Sequence, residues 1–176
     1  EPVAAALASL EVASNKDGIF LVYDLGGGTF DVALVQSTRG AVNILAHEGV
    51  NMLGGRDFDR SIVNSVIRPW LLESYDLPDD FQKDKKFRRL VRMASMKAEE
   101  AKIELSTRDS AQIFVAEEEA RVEDQAGNEI FIDIPLSRSL LEGLTRDRVD
   151  ASIALCRKIL TDNGLTHDDV DRLVFI

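Results

Sequence analysis

The stretch Ile19–Val35, "IFLVYDLGGGTFDVALV", decides how this chain is read. Two apolar, partly β-branched runs of strand length, Phe20–Leu25 and Phe30–Val35, are joined by Gly26, Gly27, Gly28 and Thr29, with Asp24 on one side and Asp31 on the other. The pattern predicts a strand–glycine–strand hairpin. A tight turn accounts for a glycine, but it does not require three of them together with both acids. The loop lacks the lysine of GxxxxGK[ST] and does not open a helix, and Asp31 stands where GxGxxG needs its last glycine. Both common nucleotide motifs are therefore excluded.

A phosphate logic survives that exclusion. Glycines let backbone N–H groups converge on one concavity and approach a ligand without a Cβ in the way. Thr29 adds a hydroxyl. Two aspartates beside an anion make sense only with a cation, because at ~4 Å and an effective dielectric near 20 each carboxylate–phosphate repulsion is about 4 kcal/mol. Mg²⁺ with its waters reverses that sign, since it binds through one or two carboxylates plus phosphate oxygens.

Outward from the hairpin, "STRG" is a turn and Ala41–Ala46 a third strand, and the short links favour an antiparallel meander. Upstream, Ala4–Ala13 reads as a helix and "NKDG" as a turn. Downstream the period changes. From Phe58 the apolar residues fall at Ile62, Val63, Val66, Ile67, Trp70 and Leu71, one face of a helix that Pro69 should kink or end. A long helix is expected over Lys85–Leu105, with Leu90, Met93, Ala94, Lys97, Ala101 and Leu105 along one side. Ala111–Ala116, Ala120–Glu123 and Glu129–Ile134 read as a small antiparallel sheet with "DQAGN" as a hairpin turn. One helix should start after Pro135, capped by Ser137. Another should run Arg148–Asn163, with Val149, Ile153, Cys156 and Leu160 at helical spacing, and stop at Gly164. "THDDVDRLVFI" gives a capped turn and a strand. The sum is a mixed α/β body with an inserted unit of two helices and three strands.

The bulk numbers narrow the function. A chain of 176 residues can bury one good-sized core or two smaller ones. A net charge of −10 repels polyanions, so general nucleic-acid binding is not expected, and a nucleotide site here needs a metal ion or local cations. No apolar run reaches the ~18 residues that span a bilayer, and "EPVAAALASLEVAS" is not a secretory signal, so no membrane role is expected. The single cysteine, Cys156, fits a reducing compartment and a packing role, while His47 and His167 have no metal-ligand spacing and complete no catalytic triad. "KDKKFRRLVR" is read as a solvated helix face, and Trp70 as core or half-buried. The missing initiator methionine and the apolar ending "RLVFI" raise the expectation of a piece of a larger protein.

"DLGGGTFDVALV" resembles the second phosphate loop of the 70-kilodalton heat-shock chaperones, members of the actin-like ATPase superfamily. "EPVAAALAS", "LGGRDFD" and "AEEAKIELS" resemble three further motifs of that family, in the family's order, so the similarity covers nearly the whole chain. The resemblance implies lobe II of the ATPase domain. Residues 1–54 and 137–176 would be an RNase H-like core half, and residues 55–136 an inserted α+β subdomain. Gly26, Gly27, Gly28 and Thr29 would hold the β- and γ-phosphates of ATP or ADP. Asp24 and Asp31 would order Mg²⁺ and its waters, with Glu1 near the same cluster, and Gly55 would lie near the ribose or adenine. Glu99, Lys102 and Ser106 would contact the nucleoside, and Ile103 would give apolar surface to the adenine. Positions 99, 102, 103 and 106 share one helix face; spacing alone favours a solvated salt-bridge stripe there, and the motif context reverses that reading.

The resemblance further implies a cytoplasmic folding machine. Its ATPase would open and close a peptide-binding domain with help from a J-domain co-chaperone and a nucleotide exchange factor. The first phosphate loop, the catalytic lysine, the second adenosine motif and the peptide-binding domain are not in this sequence, so the chain alone should be a poor ATPase. Alternatives are an exchange-factor-binding module with little nucleotide affinity, or a lobe of another actin-like protein or sugar kinase. Some positions depart from the family: Met52 replaces a common histidine, Arg56 a common glutamate, and Ile103 the arginine of many eukaryotic members, while Pro69 is unexpected in its helix.

Overall fold

The computed structural model describes residues 17–39 and 41–176, so the expected helix at residues 4–13 and the role of Glu1 lie outside the described residues. The chain divides into two compact units, one holding residues up to Asp57 together with Asp147–Ile176 and the other holding Phe58–Arg146.

In the first unit, β1 (Gly18–Leu25), β2 (Thr29–Thr38) and β3 (Ala41–Asn51) form the expected antiparallel meander, and β6 (Arg172–Phe175) adds to β1 in parallel, giving the order β3-β2-β1-β6. β3 runs past the expected end at Ala46, and Leu45 is stepped over where the β2–β3 register shifts. The sheet buries both faces at its centre. Phe20, Val22, Ala33 and Val35 cluster on one face, and Leu21, Phe30, Val32 and Leu34 pack on the other against Cys156, Ile159 and Leu160 of the long helix α5 (Arg138–Asp162). That helix contributes a different stripe from the expected one, because Val149 and Ile153 are exposed while Ser152 is fully buried and shares a 2.6 Å hydrogen bond with the Tyr23 hydroxyl. Its C-terminus closes as a Schellman motif, with Leu165 N–H bonding the Leu160 carbonyl at 2.9 Å, Gly164 N–H bonding that of Thr161 at 3.0 Å, and Gly164 at φ +71°. His167–Asp169 then forms the capped turn before β6.

The second unit starts within α1 (Gly55–Ile62). Pro69 does not end the helical path. Val63–Ile67 widens into a π-turn, Arg68 N–H reaches back to the Val63 carbonyl, and Pro69 follows directly in the first turn of α2 (Arg68–Ser74). After two 3₁₀ turns comes α3 (Arg88–Glu104), whose buried stripe is Leu90, Ala94, Ala98, Ala101 and, just beyond it, Leu105. The basic run before and into α3 is exposed while Phe87 and Leu90 are buried, as a solvated face requires. Trp70 is half-buried against Tyr75 and Phe131.

Three expectations are corrected in this unit. The sheet has two strands, β4 (Ser110–Val115) and β5 (Ile132–Ser137), and the expected middle strand is replaced by α4 (Glu117–Ala120) and a single bridge between Glu123 and Glu129. Three glutamates at a helix N-terminus favour that turn, and the Glu119 carboxylate accepts from Ala116 N–H at 3.1 Å. Asp124 gathers the "DQAGN" turn, accepting from the amides of Ala126, Asn128 and Asp76 and from Asn128 Nδ2 at 2.8–3.2 Å. Pro135 lies in β5 opposite Gln112, not ahead of a helix, because both strands of a two-stranded sheet are edges that can spare a donor. The two expected helices are one, α5, entered from a Ser137 cap whose Oγ accepts from Leu140 N–H at 3.2 Å. Gly143 interrupts its interior at a cost of only about 1 kcal/mol, too little to break 25 helical residues.

Candidate functional site

The hairpin is built by register. Asp24 pairs with Asp31, so both carboxylates leave the same face of adjacent strands, where like charges repel. Gly49 pairs with Asp31 from β3, and a Cβ there would collide with the Asp31 carboxylate. His47 Nε2 stands 3.4 Å from Asp31 Oδ1. Sequence spacing could not have linked His47 to Asp31, because only the strand pairing brings them together.

The hydrogen bonds of the loop set what it can bind. Gly26 N–H bonds the Thr29 carbonyl at 2.9 Å and closes the turn. The three glycine carbonyls are all engaged: Gly26 accepts from Gly55 N–H at 3.0 Å, Gly27 from Arg56 N–H at 2.8 Å, and Gly28 from Met52 N–H at 3.0 Å. The amides of Gly27 and Gly28 have no partner among the described residues. The loop has used its acceptors and kept donors, which is the polarity an anion needs.

The glycines themselves are not required by the fold. None of Gly26, Gly27 and Gly28 has a positive φ. A Cβ on Gly26 or Gly27 would meet nothing nearer than 3.4 Å. The glycine that the packing does demand is Gly54, which sequence reading passed over. A Cβ there would stand 2.5 Å from Gly28 N, 2.6 Å from Gly26 O and 2.7 Å from Gly27 C, all backbone atoms. Among the described residues, the side chain that lies over Gly27 and Gly28 is that of Arg56, so the hairpin glycines leave a surface that no packed core group fills.

Among the described residues no group of three or more His, Cys, Asp or Glu side chains could hold a metal by itself. The pair Asp24 and Asp31 fits instead an ion such as Mg²⁺, which keeps most of its waters and takes one or two carboxylates beside a phosphate.

The four candidate nucleoside residues belong to the second unit. Glu99, Lys102 and Ile103 lie on α3, and Ser106 follows its end, where its hydroxyl donates to the Ile103 carbonyl at 2.7 Å. Ile103 is 61% exposed, an unusual placement for isoleucine, and Glu99 is exposed beside it. Lys102 is committed to a partly buried ion pair, with Nζ 2.7 Å from Asp59 Oδ1 of α1. A cleft of about 280 Å³ is lined by Lys102, Leu105, Ser106, Phe58, Arg138 and Leu141 among others, but by neither Glu99 nor Ile103. Gly55 opens α1 with its N–H on the Gly26 carbonyl.

A mixed α/β protein with a mixed sheet and a donor-lined glycine hairpin beside paired aspartates is the class these observations define. The chain belongs to the Hsp70 family: the profile described as Hsp70 protein matches residues 1–176. It is similar to the chaperone protein DnaK of Thermotoga petrophila, 34% identical over 181 residues, and to that of Thermosipho melanesiensis, 36% identical over 178 residues. Each alignment covers 100% of this chain and 28% of the relative, so the chain spans just over a quarter of those proteins.

Proposed function

We propose that this chain is lobe II of the ATP-binding domain of a heat-shock-type chaperone. Residues 1–54 and 137–176 would form an RNase H-like, actin-like ATPase half, and residues 55–136 its inserted subdomain. The observation that carries the reading is the hairpin, in which three engaged carbonyls, two amides without a partner among the described residues, and glycine carbons adjoin paired aspartates. Gly26, Gly27, Gly28 and Thr29 cradle the β- and γ-phosphates of ATP or ADP, with the Gly27 and Gly28 N–H groups and the Thr29 hydroxyl as donors and Gly26 closing the turn. Asp24 and Asp31 would hold Mg²⁺, which would supply neutralisation of the phosphate charge. Gly49 leaves room for the Asp31 carboxylate, and His47 bears on it from β3. In the second unit, Ile103 offers apolar surface to the base while Glu99, Lys102 and Ser106 offer polar contacts to the nucleoside. Gly55 lies by the ribose or adenine. In the parent protein, ATP turnover would serve protein folding with a J-domain co-chaperone and an exchange factor as partners.

The test is calorimetric titration of the chain with ADP, with and without Mg²⁺. Metal-dependent binding that disappears in Asp24→Asn is the expected result. Binding by wild type that is indifferent to both Mg²⁺ and Asp24→Asn would overturn the assignment of the aspartates. Absence of binding in every condition would move the function of this chain from nucleotide binding to protein interaction.

A further inference from the structure

We infer that Arg56 is an anion-contacting residue of the hairpin, a fixed cation that does part of the charge neutralisation otherwise left to Mg²⁺. The inference rests on the reading of Gly26–Thr29 as a phosphate loop. Arg56 sits in the first turn of α1, and its side chain folds back over the glycines. Its backbone N–H bonds the Gly27 carbonyl at 2.8 Å, and its Nε donates to the same oxygen at 3.2 Å. Nη2 lies 3.0 Å from where a Cβ of Gly28 would stand, and Nε lies 3.6 Å from the corresponding point on Gly27. The guanidinium thus lies over the carbons that the glycines leave bare.

Its surroundings make it available. Arg56 is exposed, and among the described residues its side chain forms no ion pair and no hydrogen bond beyond the one to Gly27. That is unusual in a chain of net charge −10, where acids are plentiful. An arginine presents five donors in a planar fork that matches two phosphate oxygens, and one bond from Nε leaves the terminal nitrogens to bind. With Asp24 and Asp31 contributing −2, a cation at this point lowers the repulsion that any incoming phosphate meets. The consequence is a hairpin that accepts a phosphate chain even before a metal ion arrives.

The test is an amide-resolved NMR titration of the full chain with inorganic pyrophosphate, in EDTA and again in Mg²⁺, for wild type, Arg56→Gln and Arg56→Lys. Wild type should show saturable shifts at the amides of Gly26, Gly27, Gly28 and Thr29 in EDTA. Arg56→Gln should weaken that metal-free binding by about fivefold or more, the factor for a unit charge ~4 Å away in water, and weaken the Mg²⁺-supported binding less. Arg56→Lys keeps the charge without the fork and should lose less than Arg56→Gln. A role confined to holding the Gly27 carbonyl would make the two variants alike, which overturns the inference, as does Arg56→Gln binding like wild type. No shift at these amides in wild type under either condition would overturn the phosphate reading of the hairpin itself.

Discussion

Gly54→Ala should disrupt the first unit far more than Gly27→Ala, although Gly27 belongs to the conspicuous motif and Gly54 does not. A methyl on Gly54 would come within 2.5–2.7 Å of backbone atoms of all three hairpin glycines, none of which can rotate aside as a side chain would. Relief requires the hairpin and the start of α1 to separate. Overpacking costs about 1–3 kcal/mol, and the bonds from Gly55 N–H to Gly26 O and from Arg56 N–H to Gly27 O would lengthen, at about 1 kcal/mol each. We expect a loss of at least about 3 kcal/mol. By contrast, a methyl on Gly27 meets only the Arg56 Nε at 3.6 Å, an ordinary contact. Gly27→Ala should therefore be neutral, or up to about 1 kcal/mol more stable through a less flexible unfolded chain. Because the chain has two units, one global transition cannot be assumed. Urea unfolding should be followed by far-UV circular dichroism and, in parallel, by fluorescence of Trp70, the single tryptophan, which reports the second unit. With a slope of about 2 kcal/mol/M, Gly54→Ala should lower the midpoint of the first unit by at least about 1.5 M. Equal stability of Gly54→Ala and wild type, or an equal loss in Gly27→Ala, would refute the packing argument.

Two further outcomes follow from the turns. The bonds that Asn128 gives Asp124 through its side chain and amide, with those from Asp76 and Ala126, hold the Asp124 carboxyl down at about 2 against an ordinary 3.8. A depressed carboxyl stabilises the fold above its unfolded value and loses that contribution as pH falls through the folded one. Between pH 3.8 and about 2, the Trp70-monitored urea midpoint should thus drop more steeply in wild type than in Asp124→Asn, which should already be weaker at neutral pH. Gly164→Ala should lower stability by about 1 kcal/mol, since φ +71° is costly for alanine and open space around the new methyl leaves no other term. Thermal melting read by circular dichroism checks it, with Gly164→Asn expected to lose less.

What could be read in the sequence was what depends on neighbours along the chain. The hairpin, the meander, the helix over Arg88–Glu104 and the Gly164 stop follow from alternation, helical spacing and one glycine. What could not be read depends on competition between local signals and on distant pairing. Pro69 reads as a break because the rule assumes an α-helix, and the π-turn before it changes the frame. Ala120–Glu123 reads as strand from composition, but the glutamates before it and the Asp124 turn after it hold the backbone differently. At the site, the glycines and aspartates were visible as residue types. The bond from Arg56 to Gly27, the contact of His47 with Asp31 and the necessity of Gly54 exist only once β3 and α1 are brought beside the loop.

The hairpin also carries its own gauge of occupancy. Gly26 N–H is tied to Thr29, whereas the next two amides are not tied to anything in the described chain. In deuterated solvent, protection should fall abruptly between one residue and the next. A bound anion would erase that step without altering the strands on either side. Three consecutive glycines, followed by the rate at which they trade protons with water, would separate a filled loop from an empty one with no label added to the protein.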